Sequence, residues 1–292
     1  MLKEDFINHI RFEKRYSHHT IQAYSNDLKQ FTDYMALEYG EGDISGAGHQ
    51  QIRSWMVSMI GEGISARSVL RKLSTLKSFY RYLIRNGLLD HNPTLVVGSP
   101  KMPVRNPVFV EEQQMADLFA KVDFGQGLTG CRDRMILELF YGTGMRLAEL
   151  IALEEGDLSL ESKTLKVYGK RNKERIIPFT DKTAAGLAQY IQMKRESGLE
   201  AGNLFVTEKG VKLYPRLVYR LVNRYLGQVT TLAKKSPHIL RHTFATHMLN
   251  RGADLNAVKE FLGHSNLAAT QVYTHNTVEK LKKIYHQAHP RA

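Results

Sequence analysis

Cysteine is nearly absent, with Cys131 the only one in 292 residues. That excludes an internal disulfide and a multi-cysteine zinc cluster, and it fits a reducing, cytosolic compartment. Long apolar runs are missing too, so nothing reads as a membrane span. The N-terminal MLKEDFINHIRFEKRY lacks the apolar core of a signal peptide. No HExxH occurs, and His238, His242 and His247 do not keep a spacing that puts all of them on one helix face. A metal centre is therefore not expected. Internal repeats and low-complexity segments are also missing. Acidic residues are in deficit, 29 against 41 Lys and Arg, which leaves a formal charge of +12 and a pI of about 9.6. Such an excess favours a polyanionic partner, with nucleic acid first. What is plentiful is apolar: 42% of residues are hydrophobic, enough for real cores, and the length suits two domains better than one.

Residues 1–97 read as helical and self-contained. Leu2, Phe6, Ile7 and Ile10 recur at helical spacing, and so do Ile21, Tyr24, Leu28, Phe31 and Met35 further on. A third helix has Ile52, Trp55, Met56 and Met59 inward. A fourth starts at Ser65 and ends at Gly87. Its Arg67, Arg71, Lys72, Lys77, Arg81 and Arg85 form a basic set on the less apolar faces, suited to DNA phosphates. Residues 98–107, GSPKMPVRNP, have linker composition. Beyond them comes a helix over VEEQQMADLFAKV, then an apolar helix ending at Gly142 or Gly144, with Arg146 and Glu149 just past it. LSLESKTLKVYGKRNKERIIPF reads as two strands around a basic turn with two candidate lysines, Lys170 and Lys173. LFVTEKGVKLY is expected to add a third strand segment. Arg216, Arg220 and Arg224 then make one basic helical stripe.

The chain is organised around residues 236–275. Ser236 suits an N-cap and Pro237 a first helical position, so a helix over about 237–250 presents His238 and Arg241 on one face. Asp254 caps a second helix that stops at Gly263, with His264 just beyond. A third helix, opened by Ser265 or Asn266, carries Tyr273. Arginine offers a planar fork for phosphate oxygens, histidine donates to phosphate or moves a proton, and a tyrosine phenol can be a covalent nucleophile. Around one phosphodiester, that set suggests transesterification through a phosphotyrosine.

HILRHTFATHML and LGHSNLAATQVYTH resemble the HxLRHTFATH and LGHSxxxTTxxYTH boxes of the tyrosine recombinases, the integrase family of site-specific recombinases. YGTGMRLAELIAL resembles the family's TGxRxSEL box. The Xer type, whose members resolve chromosome dimers, is the nearest subgroup, and the likeness runs along nearly the whole chain. Ala148 and Ala269 depart from the usual Ser and Thr, at positions that carry no chemistry. Arg171 replaces the usual glycine of GKGNKER, which bears on the turn around its neighbour.

The resemblance implies a mainly α fold with a small antiparallel β-sheet. It has an all-helical N-terminal core-binding, SAM-like domain over 1–97, a linker over 98–107, and an α+β catalytic domain over 108–292. It implies Tyr273 as nucleophile and Arg146 and Arg241 on the scissile phosphate. His264 donates to that phosphate, His238 assists the proton of the phenol, and Lys170, the first lysine of the turn, is general acid. Neither ATP nor a metal is needed, because the phosphotyrosine conserves bond energy. The implied partners are double-stranded DNA, three further subunits of the same or a related recombinase in a tetramer on two duplexes, and an FtsK-like DNA translocase. The C-terminal helix packs either on a neighbouring subunit, as the family implies, or on its own core. The alternatives are a phage or mobile-element integrase, a type IB topoisomerase resealing the same strand, and a DNA-binding protein without activity. The compact length favours the Xer type over an integrase with an added arm-binding domain.

Overall fold

The apolar stripes at the start of the chain wind into four helices. In the computed structural model, which describes residues 2–102, 108–169, 174–199, 202–263 and 275–291, the chain separates into two compact units, Met1–Arg105 and Asn106–Ala292. In the first, α1 (Leu2–Asn8) runs on as a π-helical turn through Glu13. It is followed by α2 (His18–Tyr39), α3 (His49–Gly61) and α4 (Ala66–Arg85). The ends are set by local chemistry. Ser17 and Ser65 accept the backbone N–H of Thr20 and Ser68 and so satisfy orphan donors. Gly40 closes α2 in the left-handed conformation.

Phe31, Phe79 and Tyr80 are fully buried in this unit, and Phe6 meets Phe79 edge-on at 5.5 Å. Each such ring contributes about 1.5–3 kcal/mol of burial. An acidic group lies among them. Asp27, 1% exposed, takes hydrogen bonds from Arg71, Lys72 and Thr75. Burial alone would raise its pKa, but those bonds outweigh burial and lower it. Lys72, expected among the outward basic residues of α4, is therefore turned inward. Arg71 reaches back to the same carboxylate while remaining half-exposed.

The second unit is built around α6 (Gly127–Thr143), which follows α5 (Glu112–Lys121) and is buried continuously from Met135 to Thr143. After α7 (Leu147–Ala152), the strands β1 (Leu158–Ser159), β2 (Thr164–Tyr168) and β3 (Glu174–Pro178) form an antiparallel sheet in the order β1-β2-β3. Leu165 pairs with Ile177 and Val167 with Arg175. The third strand thus comes from 158–159, within the segment expected to give two strands. Residues 204–214, expected to supply it, contain only a bridge between Val206 and Lys212. Leu204, Phe205 and Val206 are all buried, a run without the alternation of a half-buried strand. The amide of Leu204 donates instead to the Leu153 carbonyl at 2.8 Å.

The remaining helices are α8 (Asp181–Glu196), α9 (Pro215–Leu226), α10 (Pro237–Asn250), α11 (Leu255–Leu262) and α12 (His275–Ala288). The last of these packs on its own chain. Leu281, Tyr285 and Ala288 are buried in the core of this unit, and Tyr285 stacks on His289 with ring centres 4.8 Å apart. Among the described residues no helix is long and apolar enough to cross a membrane.

Candidate active site

Two helix ends and one helix start converge where the sequence placed its arginines. α6 stops at Gly144, whose φ of +59° favours glycine and whose place forbids anything larger. A Cβ there would lie 2.4 Å from Phe244 and 2.9 Å from Leu262. This close approach brings the end of α6 against α10 and α11. Arg146, two residues later, is the N-cap of α7. Its backbone N–H donates to Glu149 Oε2 at 2.7 Å, its Nη1 to Glu149 Oε1 at 2.7 Å, and its Nη2 to the Gly263 carbonyl at 3.1 Å.

Arg241 sits one turn into α10 and donates from Nη1 to the Gly144 carbonyl and from Nη2 to the Leu262 carbonyl, both at 2.7 Å. The C-terminal carbonyls of α6 and α11 lack helical partners and carry the negative end of the helix dipole, which suits a cation. Burial, and then the charges of Arg146 and Arg175, lower the pKa of Arg241 to about 10. It remains a cation at neutral pH, already stripped of much of its water.

A third arginine completes the group. Arg175 on β3, 4% exposed, donates from Nη1 and Nη2 to the two oxygens of Glu149 at 2.9 and 2.8 Å. Its Nε donates to the Phe261 carbonyl at 2.9 Å. Burial pushes the Glu149 carboxyl up, but Arg175 and Arg146 outweigh it and bring the pKa down to about 2. Glu149 is thus a fixed anion. Three successive carbonyls, Phe261, Leu262 and Gly263, each hold a different arginine: Arg175, Arg241 and Arg146. Three guanidiniums against one carboxylate leave a net positive site, with the Arg146 side chain about a third exposed. Such a site suits a phosphodiester.

Of the residues singled out in the sequence, the structure brings Arg146 and Arg241 onto adjacent carbonyls of one turn. His238 is exposed in the first turn of α10, three residues before Arg241. Ser236 occupies the N-cap position, but its side chain caps nothing. Asp254 does cap α11, accepting from the N–H groups of Asn256 and Ala257. Lys170, His264 and Tyr273 lie outside the described residues. His247 is buried, with its Nδ1 2.9 Å from the Tyr141 hydroxyl, while His242 is exposed. Arg216, Arg220 and Arg224 are all exposed along α9, as the stripe requires. Arg175 was missed. Its signal was an arginine at an inward strand position, two residues before the buried Ile177.

Residues 109–280 match the phage integrase family, and residues 4–87 match the phage integrase N-terminal SAM-like domain. The tyrosine recombinase XerC of Chlorobaculum tepidum is 39% identical over 315 residues, covering 99% of this chain and 94% of that one. The tyrosine recombinase XerC of Bacillus subtilis is 36% identical over 292 residues, 98% of this chain and 95% of that one. Among solved structures, the XerH recombinase bound to its palindromic difH substrate, a post-cleavage complex, shares the fold with a TM-score of 0.74. It is 19% identical and covers 96% of this chain and 83% of that one. The Tn1549 transposon integrase in complex with circular intermediate DNA does so with a TM-score of 0.72 at 19% identity, covering 96% and 98%.

Proposed function

The chain belongs to the phage integrase family and is a site-specific tyrosine recombinase of the Xer type, and from that premise we propose which of its residues cleave DNA and to what end. The Tyr273 oxygen attacks a phosphorus of the DNA backbone and forms a 3′-phosphotyrosine, while the bond to the 5′ oxygen breaks. Arg146 and Arg241 hold the non-bridging oxygens as charge builds in the crowded transition state, where preorganised donors count most. His264 donates to the same phosphate, and His238 takes up the phenol proton. Lys170 returns a proton to the leaving 5′ oxygen. A free phenol titrates near 10, so neighbouring cations must favour its ionised form. The 5′ hydroxyl of a partner strand then attacks the phosphotyrosine. Bond energy is conserved, so no ATP and no metal enter the scheme. What supports this most is the placement of Arg146 and Arg241 on adjacent carbonyls of the turn that leads to His264.

Residues 1–97 serve as the core-binding domain and 98–107 as the linker that lets it and the catalytic domain, 108–292, close on a duplex. The recombining unit is a tetramer on two duplexes, of this chain alone or with a related recombinase. It works in the cytoplasm to resolve chromosome dimers at segregation, with an FtsK-like translocase as partner. The test is a suicide substrate, a duplex recombination site carrying a nick. A covalent protein–DNA adduct forms with the wild type and disappears with Tyr273→Phe, while binding survives. An adduct with Tyr273→Phe would overturn the assignment.

A further inference from the structure

The reaction as assigned uses two of the three arginines that end on the turn at 261–263. We propose that the third, Arg175, is a positioning residue that locks Glu149 and the end of α11 together and so aims Arg146 and Arg241 at the phosphate. This rests on the roles given above to those two residues.

The bonding around Glu149 carries the argument. A carboxylate has about four lone-pair sites, and all are taken here. Oε1 accepts from Arg146 Nη1 and Arg175 Nη1, and Oε2 from the Arg146 backbone N–H and Arg175 Nη2. Arg146 is therefore held at its backbone and its side chain by an anion whose other half is held by Arg175. The third donor of Arg175 binds the Phe261 carbonyl, which leads directly to the carbonyls that hold Arg241 and Arg146. Its guanidinium also lies against Gly263. A Cβ at that glycine would stand 3.0 Å from Nη1 and 3.2 Å from Cδ, and the φ of +64° independently favours glycine. One planar group thus joins α7, α11 and β3.

Lysine cannot replace it. An ammonium is a point charge and does not span a carboxylate while reaching a carbonyl on its other edge. Among the described residues, the charges facing Glu149 are Arg146 from α7, Arg175 from β3 and Arg241 from α10. Weakening the Arg175 fork leaves burial less opposed, so the Glu149 carboxyl rises, and its protonation releases Arg146 at a higher pH than in the wild type.

The test is single-turnover cleavage of the nicked suicide substrate across the pH range, at saturating DNA, with DNA affinity and thermal unfolding followed in parallel. Arg175→Lys should cleave about a hundredfold more slowly, the scale of loss when a reacting group is misplaced by about 1 Å. Its DNA affinity should be unchanged, and the acid limb of its profile should move to higher pH. Adding Glu149→Gln to it should abolish that movement. An unchanged rate, a loss that saturating DNA restores, or a loss with an unmoved pH profile overturns the proposal. If Arg175→Lys does not fold, Glu149→Gln alone decides. It must show a comparable loss at saturating DNA, and a wild-type rate overturns the proposal. A wild type that makes no adduct, or a Tyr273→Phe that makes one, would instead overturn the assignment of the reaction.

Discussion

Asp27 and Glu149 are both buried carboxylates flanked by two cations, one in each unit, yet they serve different ends. Around Asp27 the donors come from one helix. Arg71, Lys72 and Thr75 all lie on α4, and the result ties α4 to α2. Around Glu149 they come from two elements, and the same two arginines also hold the Phe261 and Gly263 carbonyls. Each network keeps one part-exposed arginine, Arg71 at 49% and Arg146 at 36% side-chain exposure. What separates them is that the Glu149 network shares its turn with Arg241. The first holds two helices together, and the second positions the cations of a site. Breaking a buried pair strands its partner, so neither carboxylate is dispensable.

Substitution at the two positions separates these roles. Asp27→Asn leaves Lys72 nearly buried beside a neutral amide and should cost about 3–5 kcal/mol of stability, read as a lower unfolding midpoint. Its cleavage rate per folded molecule at saturating DNA should match the wild type. Glu149→Gln should lower that rate by about a hundredfold. If the two variants exchange these signatures, the distinction fails.

Acid offers a milder separation. Burial pushes His289 down to about 4 and lowers His247, both in the catalytic unit. An unfolded histidine takes up its proton near about 6.5, whereas the folded ones do so lower. The unfolded chain therefore binds more protons between about 6.5 and 4, and the catalytic unit loses stability as pH falls through that window. Glu149, with its pKa lowered to about 2, stabilises above the ordinary carboxylate range and stops doing so only as pH falls toward 2. Asp27, also lowered, behaves in the same sense. Trp55, the only tryptophan, is buried in the N-terminal unit, so its fluorescence reports on that unit alone. On mild acidification the circular-dichroism transition should fall by about 2–4 °C while the Trp55 transition holds. Equal shifts in both would contradict the assignment of the acid sensitivity to His289 and His247.

How much of this was legible in the sequence depended on how local each determinant is. The α10 limits, the Asp254 cap and the glycine at 263 follow from neighbours in the chain, and the structure has them as expected; of the two glycines offered for the end of α6, it uses Gly144. Lys72 could have been placed. It lies three residues after Val69, beside Leu73 and four before Leu76, on the buried stripe of α4. Its charge hid the position. Ser236 has the right residue type for a cap but is itself buried, and the helix amides that reach it bond its carbonyl rather than its side chain. Arg175 was the hardest, because its partners are 26 and 86 residues away. No periodicity connects them. The sheet failed at 204–214 for a related reason, since the backbone there bonds to Leu153 and bridges within itself, Val206 to Lys212, rather than pairing with a strand.

The lowered pKa of Arg241 says why that position calls for a guanidinium. The same surroundings would lower an ammonium too, and it starts from about 10.4 rather than above about 12, so its charge would be the less secure of the two. A guanidinium loses as much basicity and still never sheds its proton at physiological pH. Having given up water when the protein folded, it has little left to shed when the strand docks, and the cost of drying the pocket is borne in advance by the fold.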